Sequence, residues 1–264
     1  DVFTSAKPMF AKIDALYLQL LDKKEAVKPV SGYVDVILAS DLAGILAHEA
    51  IGHTTEGDIV RAGSVAADYL NKVVANELVT LVDFANTHNG ETLPVPVYLD
   101  DEGVSSQDAV IIDKGVLKSY MHNKESAEYF DMPLTGNARA FNYTDEPLVR
   151  MRNTAILPGE SSLEDMIASI ENGYLLMRPT NGQADSTSEF MFGVQMGYEI
   201  KQGKLGRAIS DTTISGVAFD MLKEVTMLSN EMVWSCAGMC GKKQPMPVGM
   251  GGPAVKTKVH IGGE

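Results

Sequence analysis

The sequence predicts an α+β domain built on large antiparallel β-sheets, barrel-like or sandwiched, with a few helices. Two observations carry this reading. The stretches "AVIIDKGVLKSYMHN" (Ala109 to Asn123) and "EFMFGVQMGYEIKQGKLGRAIS" (Glu189 to Ser210) read as long hairpins, turning at Asp113-Lys114-Gly115 and at Gln202-Gly203. Helical patterns occupy only a few segments between such hairpins, which favours segregated helices and antiparallel sheet. No internal repeat or low-complexity segment interrupts the pattern.

Taken in order, "FAKIDALYLQLLDKK" (Phe10 to Lys24) is an amphipathic helix that Pro29 would terminate. "GYVDVILA" (Gly32 to Ala39) alternates and is β-branched, so it reads as a strand. Ser40 or Asp41 then offers an N-cap for a helix, "LAGILAHEAIG", that ends at Gly52. The pattern weakens between Gly57 and Ala67, where a loop is expected. Glu77 to Ala85 and Leu93 to Asp100 look like strands, and Pro133 to Pro147 reads as a polar loop. Asn153 to Gly159 is a short strand closed by Pro-Gly. Ser161 with Glu164 makes a capping-box pattern for a helix stopped by Gly173. A further helix covers Gly216 to Asn230, and the chain closes on a glycine- and proline-rich segment leading into an alternating strand.

Bulk properties bound the function. With 264 residues the chain can bury a substantial core, and 45% apolar with 22% charged residues is ordinary globular usage. The formal charge of −13, from 35 acids and 22 bases, argues against direct nucleic-acid binding. No apolar run approaches the roughly 20 residues that span a bilayer, so no membrane role is expected. The two cysteines, Cys236 and Cys240, do not make a disulfide scaffold, and a reducing cytoplasm is the default.

The chemistry concentrates in "HEAIGHTTEGD", which begins at His48. It resembles the H-E-x-x-H zinc helix, but His48 and His53 are five residues apart. On a regular helix five steps of about 100° leave the second side chain about 140° from the first, too far for a shared ion. Two local structures would reunite them. A π-type turn of about 4.4 residues brings the fifth position back to within roughly 50°. Alternatively, Gly52 adopts a positive φ and swings His53 round, and a glycine immediately before the second histidine suits this second route. A catalytic zinc usually has three protein ligands and an open position. His88, His122, His260, Cys236, Cys240 and many carboxylates are the candidates for the third. Cys240 is the strongest, since Gly238 and Gly241 let the backbone approach closely and Lys242 favours the thiolate.

Six segments together, in order from about Ile45 to Lys256, resemble the TldD/PmbA metallopeptidase family, in its metal-bearing TldD-like branch. They are "ILAHEAIGHTTEGD", "DDEGVSSQDAVIIDKGVLKSYM", "LTGNARAFNY", "RMRNTAILPGE", "EFMFGVQMGYEIKQGK" and "GMCGKKQPMPVGMGGPAVK". The resemblance covers most of the chain. It implies that residues 1–264 form a single domain, the C-terminal catalytic half of such proteins, without the family's N-terminal half. It implies a Zn2+-dependent peptidase with His48, His53 and Cys240 as ligands, Glu49 as general base, and a metal site at the end of a helix. Cys236 departs from the family pattern. Short or unfolded peptides are the implied substrates, and a homodimer, or a heterodimer with a PmbA-like subunit, the implied assembly. Within "LTGNARAFNY", Asn137 and Arg139 are candidates for binding the peptide, although Gly136-Asn137 also reads as a simple turn. The alternative function is a non-catalytic subunit or scaffold that shelters peptides within such a dimer.

Overall fold

The structure is a computed structural model that describes residues 6–236 and 238–262, apart from the side chains of Pro8 and Asn181. Its helices are α1 (Lys7–Lys24), α2 (Ser40–Leu46), α3 (Gly57–Arg61), α4 (Lys124–Phe130), α5 (Leu163–Ala168) and α6 (Ala218–Lys223). The strands that build its two main sheets are β1 (Gly32–Leu38), β2 (Leu81–Phe84), β3 (Ala109–Asp113), β4 (Asn153–Ile156), β5 (Asn172–Ala184), β6 (Glu189–Lys201), β7 (Thr212–Val217), β8 (Val233–Ser235), β9 (Gly249–Gly252) and β10 (Val255–Gly262).

Five strands close into a barrel in the order β1-β5-β6-β7-β10, with β10 returning to β1. Four of the five joins are antiparallel, and β1 pairs with β5 in parallel, Leu38 against Leu176. The α+β reading therefore holds, in its barrel form. A second sheet runs β8-β9-β4-β2-β3 and ends on the short strand Val116–Leu117. Helix α2 contacts strands of both sheets. Its approach to β9 is close, because a Cβ on Gly44 would lie 3.3 Å from the Gly251 nitrogen.

Burial follows from this layering. In β1, Val36, Ile37 and Leu38 are all inaccessible to solvent. Val36 and Leu38 pack with Leu42 and Leu46 of α2, while Ile37 packs with Met166 near α5 and with Ile200 of β6. A strand covered on both faces reads as a continuous apolar run, which is how "VIL" appears. Truncating a buried leucine such as Leu42 to alanine would cost about 2–5 kcal/mol.

The two hairpin turns lie where the glycines suggested. Lys114-Gly115 and Gln202-Gly203 each carry two positive φ values, the conformation that matches the right-handed twist of flanking strands. Elsewhere the structure corrects the sequence reading. Leu93 to Asp100 is not a strand. Pro94 and Pro96 lack ladder donors, and Val95 and Val97 donate to Asn153 Oδ1 and the Ala85 carbonyl. The expected loop after Gly57 contains α3 and a 3-10 turn, Val65–Tyr69, both too short to display a helical period. Helix α2 is capped by Ala39, without a side-chain bond, and neither Ser40 nor Asp41 is the cap. Helix α5 begins one residue later than its capping pattern suggested, with Ser162 accepting from the Asp165 nitrogen, and it ends at Ala168. Gly173 belongs to β5, a thirteen-residue strand that Pro179 and the polar "TNGQA" concealed. The helix expected over Gly216 to Asn230 shrinks to α6, with strand on either side.

Candidate metal centre

Helix α2 does not end where its regular hydrogen bonding stops. It widens into a π-type turn over Ala47–Gly52 and then tightens into a 3-10 turn over His53–Thr55. Gly52 sits at φ −56, so the wider turn, not a left-handed glycine, brings the histidines together. Local chemistry supports this winding. Thr54 and Thr55 hydroxyls donate to the Ile51 carbonyl at 2.8 and 2.9 Å, and Thr55 also reaches the Gly52 carbonyl at 3.0 Å. Gly52 is required for space. A Cβ there would lie 2.0 Å from the Met151 sulfur.

The result is a pair of imidazoles with centroids 5.1 Å apart, set nearly edge to face at 77°. His48 is buried and His53 partly buried. Cys240, also buried, enters from the chain's last sixty residues and places Sγ 3.1 Å from His53 Nε2. One donor atom from each of His48, His53 and Cys240 lies within 4.8 Å of the others. Among the described residues, no other cluster of metal-binding side chains forms. The remaining histidine and cysteine candidates for a third ligand lie elsewhere. His88 packs against Phe84 and Trp234, His122 meets Ser126, and His260 packs on Tyr33, while Cys236 is exposed.

The donors fit a divalent cation in three respects. A tetrahedral ion at ordinary metal–sulfur and metal–nitrogen distances separates its sulfur and nitrogen ligands by about 3.5 Å, close to the Cys240–His53 separation. His53 Nδ1 lies 2.8 Å from Glu56 Oε2, the carboxylate–imidazole arrangement that aims the opposite nitrogen at a metal. Two imidazoles and a thiol are a nitrogen and sulfur donor set that suits a borderline-soft dication.

The electrostatics agree. Burial alone would raise the Cys240 thiol, but hydrogen bonds from His48 and His53 and their charge hold it down at about 4. Burial opposes charge on His53 as well. Glu56 and Cys240 override it and push the imidazole up to about 10. Burial likewise works against the Glu56 carboxylate, and His53 with Lys242 keeps it below its ordinary range. The protein thus stabilises the thiolate with a positive charge on His53, a charge that a bound dication would replace as the imidazole gives up its proton.

Glu49 stands at the rim of the pair. Its carboxylate oxygens lie 3.9 Å from His48 Nε2 and 3.7 Å from His53 Nε2, and the side chain is 27% exposed. Two clefts meet there, of about 440 and about 600 Å³, both lined by Glu49, Met239 and Cys240. The first extends past Ile45 and Arg178, the second past Gln183 and Asp185. A larger cavity of about 660 Å³, near Tyr33 and His260, shares Gln183 and Asp185 with the second cleft but is not lined by His48, Glu49, His53 or Cys240.

Asn137 and Arg139 lie elsewhere. Asn137 is wholly buried and donates to Asp83 Oδ2 and the Arg150 carbonyl. The Arg139 guanidinium donates to the Met151 and Pro247 carbonyls. Neither lines the clefts beside Glu49. Both side chains are committed to hydrogen bonds within the protein itself.

Sequence reasoning missed Glu56 and Arg150, and it placed Lys242 beside Cys240 without its carboxylate partners. Glu56 has no solvent exposure and receives His53 on one side and Lys242 Nζ, at 3.0 Å, on the other. Its position one helical turn after His53 was a usable signal. Lys242, which reads as surface in isolation, also meets Asp58 Oδ1 and the Val149 carbonyl, each at 2.8 Å. Arg150 donates to the Cys240, Lys242 and Gln244 carbonyls, and nothing local in the sequence announces it.

Comparison with known proteins gives the family and the fold. Residues 31–263 match the family model for the PmbA/TldA metallopeptidase C-terminal domain. The chain is 38% identical over 255 residues to a metalloprotease TldD homolog of Buchnera aphidicola, covering 95% of this chain and 52% of that protein. It is 36% identical over 251 residues to a zinc metalloprotease TldD homolog of Saccharolobus solfataricus, covering 94% of this chain and 56% of that protein. The fold is shared with the crystal structure of TldE from Thermococcus kodakarensis, at a TM-score of 0.76 and 21% identity, over 93% of this chain and 54% of that one. The chain spans about half the length of the curated relatives it matches. It belongs to the PmbA/TldA metallopeptidase family.

Proposed function

Proceeding from that membership, we propose that the chain is a zinc-dependent metallopeptidase domain that hydrolyses short or unfolded peptides. His48, His53 and Cys240 hold the metal in this reading, and Glu49 is the general base. The observation that carries it is the convergence of two imidazoles and one thiol within 4.8 Å, with Glu56 behind His53. A donor set of two nitrogens and a thiolate suits zinc over the harder cations.

Bound Zn2+ would supply Lewis acidity and an acidified water. The chain's own groups do the rest. Glu49, between the rings and open to both clefts, takes a proton from the attacking water and returns it to the leaving amine. Glu56 orients His53 and holds the proton on its Nδ1. The two clefts, both lined by Glu49, give a peptide room on either side of it. Burial of His48 and Cys240 limits water at the ligands.

A thiol ligand and two free cysteines favour a reducing compartment, the cytoplasm. No described helix is long and apolar enough to cross a membrane. The apolar side chains that α1 exposes, including Phe10, Ile13 and Tyr17, suit a partner surface in a homodimer or a heterodimer with a PmbA-like subunit.

Elemental analysis with the Glu49→Gln variant tests the reading. The parent should carry about one zinc per chain. The variant should keep it while losing roughly 10²–10⁴-fold in cleavage of an unstructured peptide. Parent-like cleavage by the variant removes Glu49 from the mechanism. A parent that binds no metal removes the enzyme, leaving the non-catalytic peptide-binding subunit.

A further inference from the structure

We propose that Arg150 is a positioning residue of the metal centre, a buried clamp that holds the loop carrying Cys240 so that its sulfur faces His48 and His53. The inference rests on the metal-site reading above and extends it to a side chain about ninety positions from the ligand.

Arg150 has no solvent exposure. Its guanidinium forms no ion pair with a carboxylate among the described residues. It meets three carbonyls of one short segment instead. Nη2 donates to the Cys240 oxygen at 2.8 Å, and Nη1 to the Lys242 and Gln244 oxygens at 3.1 and 2.7 Å. The segment Cys240 to Gln244 is therefore wrapped around a cation. Oriented carbonyl dipoles supply the compensation that a buried charge requires.

Little else holds the backbone at Cys240 itself. It pairs only with Met246, in a two-residue ladder that also joins Met239 to Pro247. So short a ladder is not stable alone. Gly238 and Gly241 on either side have nothing within 4 Å of the Cβ position. The other anchors lie further along. Lys242 Nζ reaches the Val149 carbonyl, and the Gln244 side chain reaches the Glu146 carbonyl.

Arg150 is itself fixed. Its nitrogen donates to the Asn137 carbonyl at 2.9 Å, and its own carbonyl accepts from Asn137 Nδ2 at 2.9 Å. The segments "LTGNARAF", "RMRN" and "MCGKKQP" thus interlock around one guanidinium. A lysine ammonium is a point charge and lacks the planar fork that spans three acceptors.

The test compares Zn2+ affinity, by chelator competition, in the parent, Arg150→Lys, Arg150→Met and Arg152→Lys. The Co2+-loaded forms report thiolate ligation through their sulfur-to-cobalt absorption band. Arg152 is an equally buried arginine that serves Asp83 and not the Cys240 loop, so its variant controls for general destabilisation. Both Arg150 variants should lose about 10–100-fold in zinc affinity, the usual effect of removing a group that supports a ligand. The cobalt–sulfur band should weaken in both, while Arg152→Lys keeps parent affinity and band. Where Arg150→Lys does not fold, Arg150→Met carries the same test, since it removes the buried charge together with the donors to the Cys240 loop. Parent-like affinity and band in the Arg150 variants, or equal losses in Arg152→Lys, overturn the inference and leave the metal site standing. Absence of zinc binding in the parent overturns both.

Discussion

His53 Nδ1 lies 2.8 Å from Glu56 Oε2, while the opposite nitrogen of the same ring lies 3.1 Å from Cys240 Sγ. One imidazole thus joins a fully buried carboxylate to the thiol. Glu56→Gln keeps the shape and removes the charge that fixes the ring's proton. Zinc affinity should fall about 10–100-fold. The fold should survive, because Lys242 retains Asp58 as a partner. Chelator competition measures the affinity, and an unchanged value would mean that His53 needs no such support.

Gly52 links the π-type turn to the neighbouring sheet. A methyl group at that position meets the Met151 sulfur at 2.0 Å, with the Ala47 carbonyl 3.3 Å away. Gly52→Ala should therefore destabilise the fold by about 1–3 kcal/mol through overpacking. Met151→Ala in the same chain should recover part of that loss, because it vacates the space. Denaturant unfolding of the two single variants and the double reads the coupling. Strict additivity would refute the steric account.

What was legible in the sequence divides along a physical line. Hairpin turns were visible because a left-handed backbone selects glycine locally, as at Gly115 and Gly203. The helix carrying His48 was visible from its periodicity, and the choice between a wider turn and a left-handed Gly52 was not. Threonine hydroxyls and the Met151 sulfur decide it, the latter from about a hundred residues away. Cys240 stood out through its flanking glycines. Arg150 and Asn137 did not, since a buried arginine facing carbonyls has the same local sequence as a surface one. Strand β5 was hidden by Pro179, which pairs with Val194 of β6 in unbroken register, and by the polar residues where that register shifts between Thr180 and Gln183.

The ion pair between Arg152 and Asp83 is wholly buried, with Nε 2.9 Å from Oδ2. Asp83 also receives the Arg152 nitrogen, Asn137 Nδ2 and the Thr154 hydroxyl. Removing one member of such a pair leaves the other charge uncompensated. Asp83→Asn should cost about 3–5 kcal/mol. Urea denaturation checks this, and a loss below the range would mean that backbone carbonyls alone neutralise Arg152.

His122 gives the fold an acid-sensitive element away from the metal ligands. Its ring has no solvent exposure, with Nδ1 3.0 Å from the Ser126 hydroxyl and Nε2 3.3 Å from the Met132 sulfur. Burial lowers its pKa from 6.5 to about 4. Above pH 6.5 the ring is neutral in both the folded and the unfolded chain, so its contribution to stability is complete. Below that pH the unfolded chain takes up a proton that the folded chain refuses. Stability therefore drains away as the pH falls from 6.5 and stops draining near 4, where the folded ring is protonated too. The total is at most about 3 kcal/mol. His122→Asn retains an acceptor for Ser126 and cannot titrate. Its stability should fall less steeply than the parent's across this interval, whatever other groups contribute to both. Urea midpoints at several pH values provide the comparison, and parallel curves for the two proteins would exclude His122 as the source.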